Sequence, residues 1–134
     1  MSVLIVAPDE SDRLSLVDAL RSLDAVDVVG QVSSFQQATE ALGSSLPDVL
    51  ITELQLGAYN GLHLVLRAKA MRPGMKAFVL VRSADPVLEQ EAAQLDAEFL
   101  VQGSDEAWLA SIVAALGAIP PGRQNLAMRP IDDA

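Results

Sequence analysis

The stretch Pro47-Asp48-Val49-Leu50-Ile51-Thr52-Glu53-Leu54 decides the fold of this chain of 134 residues. Its centre is an uninterrupted apolar run, Val49-Leu50-Ile51, and such runs are typical of a strand that is buried on both faces of a sheet. A strand buried in this way needs helices above and below it. We therefore predict a central strand of an α/β sheet over residues 48–53.

Four similar short runs flank this stretch along the chain, and each of the five is followed by a helical pattern. The predicted strands are residues 3–6, 28–32, 48–53, 77–81 and 98–101. The helical stripes consist of Leu16, Val17, Leu20 and Leu23; Phe35, Ala38 and Leu42; Leu62, Val65, Leu66 and Ala70; Leu88, Ala92 and Leu95; and Leu109, Ile112, Val113 and Leu116. Alternating strands and helices pair in parallel through right-handed crossovers. The sequence thus predicts an α/β fold of (βα)5 type, a doubly wound five-stranded parallel sheet.

Turn and cap residues mark the borders of these elements. Ser33-Ser34 can cap the second helix, Pro86 suits the first turn of the fourth helix, and Arg72-Pro73-Gly74 ends the third. Because no linker interrupts the alternation, we predict one domain over residues 1–117 and a C-terminal tail over residues 118–134.

The composition excludes several classes of function. Apolar residues make up 51% of the chain, which is enough for a buried core. The formal net charge of −9 disfavours nucleic acid as a direct ligand. The sequence has no cysteine, which excludes disulfides and thiolate chemistry. The N-terminal apolar run is too short for a signal peptide and no run could span a membrane, so we expect a cytoplasmic protein without a membrane partner.

Ligands of doubly wound sheets gather at the carboxyl ends of the strands. The residues that this rule selects at the predicted strand ends are Ala7, Pro8, Glu53, Val81, Arg82 and Gln102.

The central stretch, together with Asn60-Gly61-Leu62 after the following loop, resembles the middle of a response-regulator receiver domain of two-component signalling. Val3-Leu4-Ile5-Val6 matches the first strand of this CheY-like family, and Phe99-Leu100-Val101 matches its fifth. The resemblance covers about residues 1–117 and implies a CheY- or flavodoxin-like fold and a role in bacterial phosphorelay signalling.

The resemblance also implies a phosphorylation site, and this sequence departs from it at every position. The family uses two adjacent acids for magnesium, an aspartate as phosphoryl acceptor, a serine or threonine, and a lysine. The residues at these positions here are Ala7 and Pro8, Glu53, Val81, and Gln102.

These departures remove the chemistry of the family site. Magnesium requires several oxygen ligands in octahedral geometry. Ala7 offers none, Pro8 offers only a carbonyl, and Glu53 with the carbonyl of Gln55 makes a poor site. Asp9 comes one residue late. We therefore expect no metal, no cofactor, no catalysed autophosphorylation and no other enzymatic activity.

Several positions of the degenerate pocket have two interpretations. Glu53 is either a permanent mimic of a phosphorylated aspartate or a solvated acid at the end of a strand. Arg82 either pairs with Glu53 or Asp85, or faces solvent. Val81 and Phe99 occupy the positions of the family's conformational switch, or are plain core residues.

The remaining polar and aromatic residues give weaker signals. His63 is predicted to lie on the surface. Asp48 is predicted to be structural, and the acids of residues 9–12 are predicted to cap a helix. Trp108 either packs at the edge of the fifth helix or lies exposed. With Leu88 and Phe99 it would then belong to an interaction face formed by the fourth helix, fifth strand and fifth helix.

The leading hypothesis is an atypical receiver, or pseudo-receiver, that acts by phosphorylation-independent protein–protein interaction. Its partner would be a kinase, another regulator, an output protein or a second copy of the chain. Residues 104–122 resemble the end of receivers that precede a helix-turn-helix domain. We expect that output domain to be absent here, and we therefore expect no direct DNA binding. The alternatives are a phosphorylatable receiver that uses Asp9 and Glu53, and a flavodoxin-like domain for small molecules. The second lacks a glycine-rich phosphate loop at residues 7–11.

Overall fold

A computed structural model describes residues 1–103 and 107–117 of the chain. It has the alternating strands and helices that the sequence predicts. The predicted tail over residues 118–134 lies outside the described residues, and so does part of the segment 104–122.

Five parallel strands form one sheet in the order β2-β1-β3-β4-β5. The strands are β1 (Ser2–Val6), β2 (Asp27–Val32), β3 (Val49–Glu53), β4 (Lys76–Val81) and β5 (Ala97–Val101). The central position of β3 confirms the prediction from its apolar run, and all five of its residues are buried. The order reverses between β1 and β3, which places the topological switch point of the sheet at the carboxyl ends of these two strands.

Five helices connect and cover the strands. They are α1 (Glu10–Arg21), α2 (Phe35–Ser44), α3 (Gly61–Met71), α4 (Pro86–Gln94) and α5 (Ala107–Gly117). Four of them begin at a side chain that accepts a hydrogen bond from a backbone N–H of the first turn, as polar N-caps do. These caps are Asp9, Ser34, Asn60 and Asp85.

The helices enclose two apolar cores, one on each face of the sheet. Side chains of α1 and α5 pack on one face around Val3, Ile5 and Ile51. Side chains of α2, α3 and α4 pack on the other face around Leu4 and Leu50. This alternation along single strands explains why β1 and β3 carry continuous apolar runs instead of an alternating pattern.

Two predictions about local structure are wrong. The predicted loop over residues 54–60 contains a small antiparallel hairpin, Gln55–Leu56 paired with Tyr59–Asn60. Leu66 and Ala70, which were assigned to the inner stripe of α3, are exposed, because the buried stripe follows Leu62, Leu64, Val65 and Ala68. A helix of mostly apolar residues leaves its rotation ambiguous in the sequence, and packing decides it.

Asp48 has the structural role that the sequence predicts. Its carboxylate accepts hydrogen bonds from the backbone N–H of Ser2 at 2.8 Å and from the Ser2 hydroxyl at 3.1 Å. It also forms an ion pair with Arg72 at 3.0 Å. The residue thereby joins the beginning of β3 to the beginning of β1 and to the end of α3. These contacts lie at the amino ends of the strands, opposite the carboxyl ends.

Candidate functional site

A cavity of about 180 Å³ opens at the carboxyl ends of β3, β4 and β5. It is lined by Glu53, Leu54, Gln55, Leu80, Val81, Arg82, Ser83, Asp85, Leu88 and Gln102. The parallel register brings these residues together, since Glu53 pairs with Leu80 and Val81 pairs with Val101. Four of the residues that were predicted at the strand ends thus line one cavity: Glu53, Val81, Arg82 and Gln102.

Glu53 is the most unusual residue of this cavity. It is only 7% exposed, and its Oε2 atom is buried without a hydrogen-bond donor. Burial raises the pKa of its carboxyl from the usual 4.5 to about 7, assisted by a hydrogen bond with the Asp12 side chain and by the negative charge of Asp12. The nearby guanidinium of Arg82 offsets this only in part. Two carboxyl groups can share a hydrogen bond only when one of them is protonated, so near neutral pH Glu53 exchanges between its neutral and its charged form.

Asp12 organises the polar groups around Glu53. Its Oδ2 atom accepts hydrogen bonds from Nη2 of Arg82 at 2.8 Å and from Nε2 of Gln102 at 3.2 Å. Arg82 also contacts Asp9 at 3.4 Å. The side chain of Asp12 is mostly buried and lies on the first turn of α1, so this one carboxylate connects α1 to the ends of β4 and β5.

The prediction that Arg82 pairs with Glu53 or Asp85 is wrong about its partners, whereas the alternative of a solvent-facing side chain agrees with its exposure of 59%. Its ion pairs are with Asp12 and Asp9. Asp85 instead caps α4 by accepting hydrogen bonds from the backbone N–H groups of Val87 and Leu88. The prediction that Glu53 is a solvated acid is also wrong, because the side chain is buried.

Magnesium does not fit this site. Ala7 is fully buried and has no ligand atom, and Pro8 is exposed. Asp9 accepts a hydrogen bond from the backbone N–H of Asp12 at 3.0 Å, as an N-cap, and pairs with Arg82. Within residues 1–103 and 107–117, no three carboxylate or imidazole groups are arranged to hold a metal ion. Oxygen atoms of Asp9 and Asp12 are already engaged by protein donors, and the unpartnered Oε2 of Glu53 is a single oxygen where magnesium requires several.

The apolar residues at the predicted switch positions belong to the core. Val81 is buried and packs in the core between the sheet and helices α2–α4, and Phe99 is partly buried against the same core. Leu88 is partly buried there as well. Gln55 is exposed at the rim of the cavity.

Trp108 corrects one interpretation from the sequence. It is 7% exposed and packs in the core between the sheet and helices α1 and α5, so it does not lie open at a surface. The exposed apolar residues of the predicted interaction face are Val87 and Val101, which are 66% and 42% exposed. His63 is exposed on α3, as predicted, in a surface groove beside Phe35.

Sequence reasoning missed the central role of Asp12. The acids of residues 9–12 were assigned to helix capping, which is correct for Asp9 alone. Asp12 lies three residues later, about one turn along α1, where its side chain returns to the same side of the helix as Asp9. That spacing is the one signal in the sequence that places both carboxylates near the strand ends.

Comparison with known proteins supports the fold. No protein-family model matches the chain, and no curated protein matches it by sequence. Among solved structures, the isolated receiver domain of RcsB from Salmonella enterica, determined with the phosphomimetic BeF3⁻, is similar with a TM-score of 0.76 and 23% identity over 87% of each chain. The receiver domain of NarL from Mycobacterium tuberculosis has a TM-score of 0.74 and 20% identity, over 87% of this chain and 94% of that one.

A CheY-like receiver domain protein from Methanospirillum hungatei is similar over 92% of this chain and 97% of its own, with a TM-score of 0.73 and 17% identity. The chain therefore has the fold of response-regulator receiver domains, as the resemblance of its central stretch predicts. No helix in the described part of the chain is long and apolar enough to cross a bilayer.

Proposed function

We propose that this chain is a receiver-type module of two-component signalling that acts by phosphorylation-independent binding to another protein. The observation that carries the proposal is the state of the acceptor position. The carboxyl of Glu53 is buried against Asp12, and the carboxylate of Asp12 is occupied by Arg82 and Gln102. Internal contacts thus engage the carboxylates of Asp12 and Asp9, which a metal ion beside Glu53 would have to use.

The physical argument against phosphorylation concerns charge. Phosphoryl transfer requires that the developing negative charge be neutralised by a metal ion and by cationic side chains. Here Arg82 is the one cation of the cavity lining, and it is already paired with two carboxylates. The alternative of a displaced pocket that uses Asp9 and Glu53 is disfavoured, because Asp9 caps α1 and pairs with Arg82.

Incubation with acetyl phosphate and magnesium is therefore expected to leave the intact mass of the protein unchanged. A receiver with an aspartate acceptor, treated in parallel, should gain a phosphoryl group. Magnesium alone should not change the fluorescence of Trp108, which is the only tryptophan. Glu53→Asp should remain unmodified too, because Ala7, Pro8 and Gln102 are unchanged. A phosphoryl adduct on residue 53 of either protein would overturn the proposal.

The surface that we propose for the partner consists of Val87 and Leu88 on α4 with Phe99 and Val101 on β5. Val87 and Val101 are exposed, whereas Leu88 and Phe99 reach the surface from the edge of the core. Among the described residues β5 is an edge strand, so none of their strands covers this surface. A signalling protein or a second copy of the chain would cover it.

Val101→Asp is expected to weaken binding of this partner by about tenfold or more, as charge in the centre of an apolar interface does. Val29→Asp is the matched control, since Val29 is 41% exposed on β2 at the opposite edge of the sheet. The measurement is titration of the purified partner, or sedimentation equilibrium if the partner is a second copy. Equal effects of the two substitutions would exclude the β5 surface.

A further inference from the structure

The cavity at the strand ends has the size of a small ligand and walls of two kinds. Its volume of about 180 Å³ is comparable to the ~150 Å³ cavity that accommodates a benzene molecule in another protein. Leu54, Leu80, Val81 and Leu88 supply apolar lining. The polar lining comes from Glu53, Gln55, Arg82, Ser83, Asp85 and Gln102. A ligand that matches these walls has a short apolar part and a polar end.

The polar end of the ligand must donate a hydrogen bond to the carboxylate of Glu53. A carboxylate oxygen that is buried without a donor is costly, and proteins normally provide a partner for it. Oε2 of Glu53 is the one buried side-chain oxygen or nitrogen without a hydrogen-bond partner among the described residues. The residue is 7% exposed and lines the cavity. A ligand that donates an N–H to this carboxylate would remove the cost.

The charge around the cavity selects a cation. Glu53 and Asp85 line it, and Asp9 and Asp12 on the α1 side lie next to Arg82. Arg82 is the one positive group of the lining, and Asp9 and Asp12 already neutralise it. An anion entering the cavity would therefore meet an excess of negative charge, whereas a monovalent cation would be attracted.

We propose that this cavity binds a primary ammonium group carried on a short aliphatic chain. The ammonium donates a hydrogen bond to the carboxylate of Glu53, and Leu80, Val81 and Leu88 contact the aliphatic carbons. A quaternary ammonium has no N–H to donate, and the described residues do not offer a metal ion the three ligands that it would need. The inference concerns the cavity itself and is independent of the partner surface on β5.

Binding of the cation should be coupled to the release of a proton. The ammonium favours the charged form of Glu53, whose pKa of about 7 in the free protein reflects burial and the neighbouring Asp12. The other charged groups that face it are Asp9, Arg82 and Asp85. Affinity should therefore rise with pH as Glu53 loses its proton. Between pH 6 and pH 8 the ionised fraction of an acid with this pKa rises about tenfold, so the dissociation constant should fall by about the same factor.

The test uses the full chain, n-butylammonium chloride as the probe, and the backbone amide signals of a two-dimensional NMR spectrum. We expect saturable shifts at Glu53, Leu54, Ser83 and Gln102, with the stronger affinity at pH 8. 1-Butanol, which has the same shape without the charge, and sodium butyrate should produce none. Glu53→Gln should abolish saturation, whereas Glu40→Gln, which removes an exposed carboxylate on α2, should leave it unchanged.

A second probe distinguishes the source of the ammonium group. If Nα-acetyl-lysine amide binds as well as n-butylammonium, the natural ligand is a lysine side chain of a protein; if it binds at least tenfold more weakly, the ligand is a free amine. Both results support the site. The absence of saturable shifts with either probe would overturn the proposal, and so would an affinity that does not depend on pH or on Glu53. Phosphorylation of residue 53 would contradict the proposed function, but it would not decide whether the cavity binds an ammonium group.

Discussion

At pH 8, Glu53→Gln is expected to be more stable than the unsubstituted protein by about 2–3 kcal/mol in its free energy of unfolding. Glutamine has nearly the same shape as glutamate and carries no charge. Its amide can donate to the carboxylate of Asp12, as a protonated Glu53 does. The substitution therefore removes the cost of holding a buried charge and keeps the packing at the end of β3.

The sign of the effect depends on pH. The folded-state pKa of Glu53 is about 7 and the usual value is 4.5, so between these values the folded state binds more protons than the unfolded state. Stability is consequently lost as pH rises through this window, and the full loss is present above about pH 8. Below about pH 4.5 both states are protonated, and the substituted and unsubstituted proteins should be nearly equal.

Urea unfolding at a series of pH values between 4.5 and 8.5 measures this difference. Glu40→Gln is the control, because Glu40 is exposed on α2 and its removal should shift stability by less than about 0.5 kcal/mol at every pH. Asp48 acts in the opposite direction below its usual pKa of 3.8, since its carboxylate is stabilised by Ser2 and Arg72. Its contribution is common to all three proteins and cancels. If the curves of Glu53→Gln and the unsubstituted protein run parallel, folding does not raise the pKa of the Glu53 carboxyl.

The sheet could be predicted from the sequence because its strands carry a strong and local signal. The run Val49-Leu50-Ile51 is apolar at every position, and only a strand covered on both faces requires that. The caps Ser34 and Asp85 lie directly before their helices and accept from the first turn. Both signals depend on neighbours in sequence, so the fold followed without any knowledge of tertiary contacts.

The chemistry of the site could be predicted only in part. The register of parallel strands brings Glu53, Val81 and Gln102 to one edge, and this follows from the strand assignment alone. The ion-pair partner of Arg82 does not follow from the strand assignment, because three carboxylates lie within the same region: Asp9, Asp12 and Asp85. The fold decides among them: Asp85 caps α4, whereas Asp12 at 2.8 Å and Asp9 at 3.4 Å pair with Arg82 from the side of α1.

Trp108 is an apolar residue whose environment could likewise not be predicted from the sequence. It precedes the predicted inner stripe of α5 by one position, which is compatible with either burial or exposure. In the structure it is buried with Leu109 and Ile112 in the core below α1 and α5. The volume available between two helices and a sheet is a property of the whole fold, and a pattern of spacing along one helix does not contain it.

Gly61→Ala is expected to cost at least about 2–3 kcal/mol of unfolding free energy, because position 61 has no room for a side chain. A Cβ atom added there would overlap the backbone carbonyl oxygen of Glu53 and lie 3.2 Å from the hydroxyl of Thr52. The backbone N–H of Gly61 also donates to the carbonyl of Leu54 at 2.6 Å, which holds the start of α3 against the end of β3. Relief of the overlap therefore requires movement of the strand end that carries Glu53.

Gly43→Ala provides the comparison that isolates this overlap. A Cβ atom at position 43 would meet no atom within 4 Å, and the residue lies in α2, so alanine should stabilise the protein by up to about 0.5–1 kcal/mol. Both substitutions change the unfolded chain in the same way, and their difference reports on the folded state. Thermal and urea unfolding of the two variants should differ by about 3 kcal/mol. Movement of the strand end should in addition bring the pKa of the Glu53 carboxyl, followed by ¹³C NMR, back toward 4.5. Equal stability of the two variants would mean that the close approach of α3 to β3 does not determine the position of Glu53.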